Sequence, residues 1–235
     1  MLLVNKAKEK TLREQLQQAL VASCQPVDRG PMDKVEHVVA MALAALAGGA
    51  KGLRIEGVEN VRAVAAVTDA PIVGIVKKDL PDSPVRITPS VEDVVALAEA
   101  GASIIAFDAT NRSRPTPVEE LLAAVHEQGC VAMVDCATYE EGRKMADLGC
   151  TFIGSTLSGY TEPDKTPDEP ELELVERWVA DGFCVIAEGR YNSPARAGQA
   201  IEAGAWAVTV GSAITRVEHI ASWFAQSIHQ AASTV

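Results

Sequence analysis

The sequence predicts a (β/α)8 barrel, a TIM barrel with an extra N-terminal helix, and three observations carry that prediction. Short apolar runs centred on Val21, Leu53, Val73, Ile104, Val131, Phe152, Val185 and Val208 give about eight strands. The runs are continuous rather than alternating, as expected of parallel strands covered on both faces. Between them a device recurs, a helical stretch ending in Gly, then Ala or Cys, then a strand, at Gly49-Ala50, Gly101-Ala102, Gly149-Cys150 and Gly204-Ala205. Glycine there takes the left-handed conformation that stops a helix. The spacing leaves room for crossover helices, and 235 residues approach the ~250 typical of such barrels. A doubly wound open sheet shares the βα alternation, but the strand count and the fourfold glycine device favour a closed ring.

The elements follow in order. Residues 6–20 form an amphipathic helix ahead of the first strand, placed to cover the barrel floor. Residues 38–50 are the longest uncharged apolar stretch; they fall short of the ~20 residues that span a bilayer and read as a buried helix. Ala70-Pro71, Gly129 and Gly182 introduce a second set of strands that alternates with the first. Pro117-Val118-Glu119-Glu120 places a proline and acids in a first helical turn, and Thr138 precedes Glu140 and Glu141 in the same way. The polar segment 161–171 follows the sixth strand as a long loop. No linker or shift in composition divides the chain, so residues 1–235 read as a single domain.

Composition narrows the function. Aromatic residues are only 4% of the chain, which leaves no surface for stacking nucleic-acid bases. The 21 Lys and Arg against 32 Asp and Glu give a net charge of -11, which argues against nucleic acid or an anionic membrane as partner. The N-terminus carries Asn5, Lys6, Lys8, Glu9 and Lys10 directly after four apolar residues, without the apolar region or cleavage site of a secretory signal. The five cysteines, Cys24, Cys130, Cys136, Cys150 and Cys184, form no C-x-x-C pair. A cytoplasmic protein with reduced, buried thiols is expected.

Barrel chemistry sits at the C-terminal ends of the strands, and polar residues gather there. Cys24-Gln25 ends the first run, Arg54 and Glu56 the second, Lys77-Lys78-Asp79 the third, and Asp108 with Thr110, Arg112 and Arg114 the fourth. Asp135-Cys136 ends the fifth, Ser155-Thr156 the sixth, Glu188-Gly189-Arg190 the seventh and Gly211-Ser212 with Thr215-Arg216 the eighth. An acidic chain that collects Arg54, Lys77, Arg190 and Arg216 at one rim is built to hold a small anion. Gly189, Arg190, Gly211 and Ser212 fit the phosphate site that barrels carry after strands seven and eight, where glycines let backbone N–H groups approach the oxygens.

Lys77 emerges from a buried run, and desolvation lowers a lysine toward the range of a base or Schiff-base nucleophile. The plainer reading pairs it with a carboxylate such as Asp108. Lys78, on the opposite pleat, is structural or solvent-facing. Glu188, Asp135 and Asp108 can each be a proton-transfer group, an acceptor for sugar hydroxyls or half of a rim ion pair. His37, His126, His219 and His229 lie in helical stretches without ligand spacing, so neither a histidine metal site nor a Ser-His-Asp triad is expected.

Six runs together resemble the N-acetylmannosamine-6-phosphate 2-epimerase family: Ser23-Cys24-Gln25-Pro26, Leu53-Arg54-Ile55-Glu56-Gly57-Val58, Gly74-Ile75-Val76-Lys77-Lys78-Asp79 with Asp82-Ser83-Pro84-Val85-Arg86-Ile87-Thr88, Ser155-Thr156-Leu157-Ser158-Gly159-Tyr160-Thr161, Glu188-Gly189-Arg190-Tyr191-Asn192 and Val210-Gly211-Ser212-Ala213-Ile214-Thr215-Arg216. The resemblance covers nearly the whole chain after the N-terminal helix. It implies a phosphate-binding barrel that interconverts N-acetylmannosamine 6-phosphate and N-acetylglucosamine 6-phosphate in sialic acid breakdown, without a cofactor and as a homodimer. It implies Lys77 as the proton-transfer residue, Glu188 as its catalytic assistant, and Gln25, Arg54, Asp135 and Arg216 as substrate-binding residues. Two departures are mild: Lys78 stands where arginine is common, and Ala137 where serine is.

The chemistry of the residues agrees. Inverting a carbon that bears an acetamido group requires loss of its C–H proton, which becomes feasible once the sugar opens to an aldehyde and an enolate can form. Lys77 supplies the proton transfer, and Glu188, Asp135 or Arg54 assists ring opening or stabilises the enolate. Three rivals remain at this stage: a class I aldolase with Lys77 as Schiff base, a Mg²⁺ site of Asp108, Asp135 and Glu188, and a non-catalytic sugar-phosphate sensor.

Overall fold

Eight parallel strands close into a barrel in the computed structural model, which describes residues 6–161 and 166–233. The strands are β1 (Ala19–Cys24), β2 (Gly52–Glu56), β3 (Ile72–Ile75), β4 (Ile104–Asp108), β5 (Val131–Asp135), β6 (Phe152–Gly154), β7 (Val185–Glu188) and β8 (Ala207–Val210). Every run centre named from the sequence falls inside one of them. Closure comes from β1 against β8, with Ala19 opposite Ala207 and Ala22 opposite Val210. The outer ring holds α2 (Val35–Ala47), α3 (Val58–Ala65), α4 (Val91–Glu99), α5 (Val118–Glu127), α6 (Tyr139–Asp147), α7 (Leu172–Ala180) and α8 (Pro194–Glu202). Preceding it is α1 (Lys6–Leu16), and following β8 are the short α9 (Ser212–Thr215) and α10 (Val217–Ala232).

The continuous apolar runs divide between two cores because successive strand residues point to opposite faces. Leu53, Ile55, Ile105, Phe107, Val134, Ile153, Val185 and Val208 point outward and pack under the helices. Val21, Val73, Ile75, Ile104, Val131, Met133, Phe152 and Ile186 point inward, and the same cluster includes Leu12 and Leu16 of α1. Helix α1 thus plugs the floor, as its position in the sequence suggested. It stops at Leu16 rather than at residue 20, since Leu20 is drawn into β1 opposite Val208 and Gln18 turns the chain with φ 53°.

A second expectation needs correcting. The apolar stretch 38–50 forms the body of α2, but only Val38 and Ala42 of that helix are buried, and Leu43 is 42% exposed. A helix of the outer ring shows one stripe to the barrel, so its apolar composition does not make it buried. The cysteines are free and buried, and burial pushes Cys24, Cys150 and Cys184 up to about 12. No helix among the described residues is long and apolar enough to cross a membrane.

Helix capping follows the residues. Thr138 accepts from the Glu141 backbone N–H while Glu141 accepts from that of Thr138, a capping box at the start of α6. Gly142, one residue on, lets α6 approach Trp178 of α7: a Cβ at 142 would stand 2.5 Å from the indole. Trp178 is fully buried and donates its Nε1–H to the Tyr139 carbonyl at 3.1 Å, so it has no room to yield. Gly198, on the exposed side of α8, has nothing within 4 Å of the same added atom. Gly142→Ala is therefore expected to destabilise by ~1–3 kcal/mol through overpacking, whereas Gly198→Ala stabilises by ~0.5–1 kcal/mol through helix propensity. Urea unfolding midpoints of the two variants check both signs.

Candidate active site

Inward positions change character along the barrel. On β1 Val21 is followed two residues on by Ser23, on β4 Ile104 and Ala106 by Asp108, on β5 Val131 and Met133 by Asp135, on β7 Ile186 by Glu188, and on β8 Ala207 by Thr209. Arg54 continues the inner face of β2 after Gly52. The two-residue period therefore lays a polar storey on an apolar one, at the C-terminal end of every strand that contributes.

At the centre of that storey Arg54 is only 1% exposed. Its Nη1 and Nη2 reach Oδ1 and Oδ2 of Asp135 at 3.1 and 2.5 Å, a bidentate pair, and Nη1 stands 3.1 Å from Glu188 Oε2. Thr156 adds a hydroxyl donor to Asp135 Oδ1 at 2.6 Å. Burial opposes the Arg54 charge, but the two carboxylates outweigh it and hold the guanidinium firmly protonated. Glu188 is less well served. Its contact with Arg54 lacks hydrogen-bond alignment, so Oε2 is left without a partner, and burial together with the Asp135 charge pushes its carboxyl up to about 7 against the opposing pull of Arg54 and Lys77.

Lys77 lies just beyond β3, not on it. It sits in an isolated antiparallel bridge with Ile87, part of a hairpin in which Lys78 N–H donates to Arg86 O at 3.0 Å and Thr88 N–H to Val76 O at 2.8 Å. Thr88, fully buried with φ 46°, fastens the hairpin to the barrel through Oγ1, which donates to Ala106 O at 2.7 Å. The Lys77 ammonium donates to Gln25 Oε1 at 2.5 Å, and Gln25 in turn donates to Ser23 Oγ at 2.7 Å. Burial first, then the charges of Arg54 and Arg216, hold the ammonium below its ordinary 10.5. Asp108 is not its partner: Asp108 accepts from Arg112 Nη2 at 2.6 Å and Arg114 Nη2 at 3.1 Å. Lys78 turns away to Asp93 at 2.5 Å.

Two adjoining cavities open at this end. The larger, about 500 Å³, brings together Gln25, Lys77, Glu188, Gly189, Arg190, Gly211, Ser212 and Arg216. The smaller, about 300 Å³, is shared by Arg54, Lys77 and Glu188 and includes Asp108 and Arg112. Asp135 lies beneath both, fully buried against Arg54. Gly189 has φ 105° and Arg190 φ 64°, a left-handed pair that turns the backbone toward the larger cavity. The Arg190 side chain anchors this turn, donating to Glu169 O at 2.8 Å and Ser158 O at 2.6 Å, with Tyr160 lying 5.1 Å below the guanidinium. Arg216 donates Nε–H to the Gln25 carbonyl at 2.9 Å.

Some of the lining could not be found from strand ends. His219 and Trp223 come from α10, which the strand pattern does not mark, and Pro84 and Ile87 come from the hairpin after Lys77. Glu141 reaches across from α6 to accept from Asn111 N–H at 2.8 Å, tying the loop after β4 to the rim. The Thr138 to Glu141 spacing marked a helix start but not this second bond.

Comparison with known proteins now adds to the geometry. Residues 38–230 match the profile of the family described as "Putative N-acetylmannosamine-6-phosphate epimerase". A protein of Glaesserella parasuis serovar 5 described as a 2-epimerase for the same compound is 59% identical over 215 residues, 92% of this chain and 93% of its own. One from Photobacterium profundum is 58% identical over 233 residues, 98% of each. Among solved structures, the N-acetylmannosamine-6-phosphate 2-epimerase from Clostridium perfringens superposes with a TM-score of 0.88 at 36% identity, covering 92% of this chain and 95% of that one. A thiamine phosphate pyrophosphorylase from Pyrococcus furiosus, at 18% identity and a TM-score of 0.60 over 87% and 89% of the two chains, shares the fold alone. With a lysine and a glutamate at the junction of two rim cavities and these relatives matching nearly end to end, the chain belongs to the N-acetylmannosamine-6-phosphate epimerase family.

Proposed function

We propose that this protein interconverts N-acetylmannosamine 6-phosphate and N-acetylglucosamine 6-phosphate by removing and returning the proton at carbon 2. The observation that carries the reading is Lys77, a desolvated lysine with a lowered pKa, held against Gln25 where the two cavities meet. The phosphate is held in the larger cavity by the backbone of Gly189, Arg190, Gly211 and Ser212 and by the Arg216 charge, and remote binding of this kind supplies energy and orientation to the reacting carbon. Gln25 accepts from the Lys77 ammonium and fixes its direction. Glu188, whose carboxyl burial pushes up to about 7, offers an oxygen without a hydrogen-bond partner that can give a proton to the sugar oxygen as the ring opens. Arg54 and Asp135 set the field in which both titrate, and Arg54 turns its positive charge toward the enolate.

The reaction needs no added cofactor in this scheme, and it serves sialic acid catabolism. The five free, buried thiols and the acidic surface suit a cytoplasmic enzyme without nucleic-acid partners. A homodimer is supported by α10, on which no described residue is buried and where Trp223, Phe224 and Ile228 are 36%, 69% and 68% exposed.

In D2O with N-acetylmannosamine 6-phosphate, proton NMR is expected to show N-acetylglucosamine 6-phosphate deuterated at carbon 2 for the wild type and neither product nor exchange for Lys77→Ala; a wild type that does neither rejects the epimerase reading.

Glu188→Gln is expected to lower kcat by about 10²-fold. It also removes a carboxylate that raises Lys77, so the acid limb of kcat/KM moves to lower pH. Because Glu188 binds its proton more tightly folded than unfolded, its contribution to stability is full below about 4.5 and lost as pH rises through about 7. Unfolding of the Gln variant is therefore expected to show a flatter dependence on pH across that window. Phe224→Asp combined with Ile228→Asp is expected to halve the mass seen by light scattering, and a wild type of monomer mass would dispose of the dimer.

A further inference from the structure

We infer that Thr88 is a positioning residue for Lys77: its hydroxyl pins residues 87–88 as a wedge between β3 and β4, and that wedge turns the base away from β4 toward the ends of β1 and β2. The inference rests on the epimerase reading and deepens it, since the reaction is what gives Lys77 its task.

The sheet shows where the wedge enters. β4 and β5 pair over five residues, from Ile104 with Val131 to Asp108 with Asp135, but β3 and β4 pair over only two, Val73 with Ile104 and Gly74 with Ile105. Continued pairing would set Ile75 beside Ala106 and Val76 beside Phe107. Instead the chain beyond Lys77 turns back, and its returning arm takes that place. On one side Ile87 bridges Lys77 in antiparallel sense, and Thr88 N–H donates to Val76 O at 2.8 Å. On the other, the Ile87 carbonyl accepts from Asp108 N–H at 3.1 Å, and Thr88 Oγ1 donates to Ala106 O at 2.7 Å. An arm inserted in this way moves its neighbours apart by one strand spacing, about 4.8 Å.

Thr88 holds the arm through one atom. Val76 immediately precedes Lys77, and both of its backbone polar groups go to Thr88, its carbonyl to the N–H and its own N–H to Oγ1 at 3.3 Å. The hydroxyl therefore accepts from the extension of β3 while it donates to β4. Thr88 is fully buried, so solvent does not replace either bond when the hydroxyl is removed. Its backbone is equally telling. A φ of 46° is sparsely populated by β-branched residues, and Pro89 disfavours helical backbone in the residue before it. Conformations of this kind persist where the surroundings over-determine them, and they cluster at functional sites. Glycine takes this φ freely but carries no hydroxyl to join the two strands.

The consequence falls on the ammonium. Displaced from β4, Lys77 gives its backbone N–H to Glu56 Oε1 at 3.4 Å, at the end of β2, and its Nζ to Gln25 Oε1 at 2.5 Å, beyond β1. Arg54, Glu56, Glu188 and Arg216 are the charges that act on it, His219 lines the larger cavity from α10, and Asp108 with Arg112 lines the smaller. Asp108 stays with its own arginines on the far side of the wedge. Burial is the first cause that lowers Lys77, so an arm that slackens admits water to the ammonium and returns it toward its ordinary 10.5.

The experiment compares Thr88→Val, which keeps the branched shape, Thr88→Gly, which keeps the left-handed turn, and Thr88→Ser, which keeps the hydroxyl. Rates with N-acetylmannosamine 6-phosphate are measured across pH. Titration of Lys77 is followed by carbon-13 NMR of protein labelled at lysine Cε, the Lys77 signal being the one missing from Lys77→Ala. A misplaced catalytic group costs about 10²-fold. The Val and Gly variants are expected to lose kcat on that scale with KM little changed, because the phosphate is held elsewhere. In both, the acid limb of kcat/KM and the Lys77 titration are expected to move together to higher pH, while the Ser variant stays near wild type. A threonine needed only for stability would leave the lysine titration where it is. Unmoved titration in the Val and Gly variants, a Ser variant that falls as far as Val, or a Gly variant that matches Ser would each overturn the proposal. If the Val variant does not fold, Gly against Ser decides alone. A wild type that converts no substrate rejects the epimerase reading, and the NMR titration then still decides whether Thr88 places Lys77.

Discussion

The polar end of the barrel depends on one buried cation. Moving a guanidinium out of water is unfavourable by several kcal/mol, and only close, multiply hydrogen-bonded partners offset it. Arg54 meets that condition with a bidentate Asp135 and a second carboxylate, Glu188. Asp135 is the committed partner, its oxygens also held by Thr156, and Glu188 is the loose one. That inequality separates two chemically similar groups. One carboxylate is taken up by its hydrogen bonds and structural, while the other is pushed up to about 7 by burial. The same guanidinium presses on Lys77 and helps to lower it. Acid and base are thus brought toward one another chiefly by burial, with the Arg54 charge pulling both downward, and groups perturbed in this way concentrate at proton-transfer sites.

The storey beneath makes that arrangement possible. Inward residues of the lower barrel are aliphatic or aromatic, and α1 seals them with Leu12 and Leu16. Water is therefore excluded from below, and the low-dielectric floor strengthens every interaction in the polar layer above it. Met133 illustrates the boundary: its sulfur lies 3.9 Å from Arg54 Nη1, so the cation rests directly on the apolar core.

The rim is organised by backbone as much as by side chains. Lys77 owes its position to a hairpin that leaves the barrel after β3 and is fastened by Thr88, and with its ammonium held on Gln25 the lysine loses little further entropy when it acts. Across the mouth, the left-handed pair Gly189-Arg190 is held by two hydrogen bonds from the Arg190 guanidinium to carbonyls of the loop after β6. An arginine that reads in the sequence as an anion-binding charge is here a fastening for the turn, and its backbone faces the cavity. Around the rim, several cations are spent in this way on protein oxygens, which lets an acidic protein keep a site suited to an anion.

How much of this was legible beforehand follows from which properties are local. Strand and helix existence is decided by apolar runs and by glycines that stop helices, so the eight strands and the plug helix could be read directly. Strand-end residues follow once a barrel is assumed, which brought Lys77, Glu188, Gln25, Gly189, Arg190, Gly211, Ser212 and Arg216 to one cavity. The end of α1 was misplaced because pairing of Leu20 with Val208, 188 residues apart by number, overrides local helical pattern. Whether α2 is buried, what Arg190 holds, and that Asp108 serves Arg112 rather than Lys77 are likewise decided by partners distant in sequence or by the direction of a single side chain. Sequence by itself determined which groups stand at the rim, since a two-residue period and a strand end fix that much. Only the tertiary structure decided which carboxylate holds Arg54 by aligned hydrogen bonds and which meets it by charge alone, because that depends on the direction from which each side chain reaches the guanidinium.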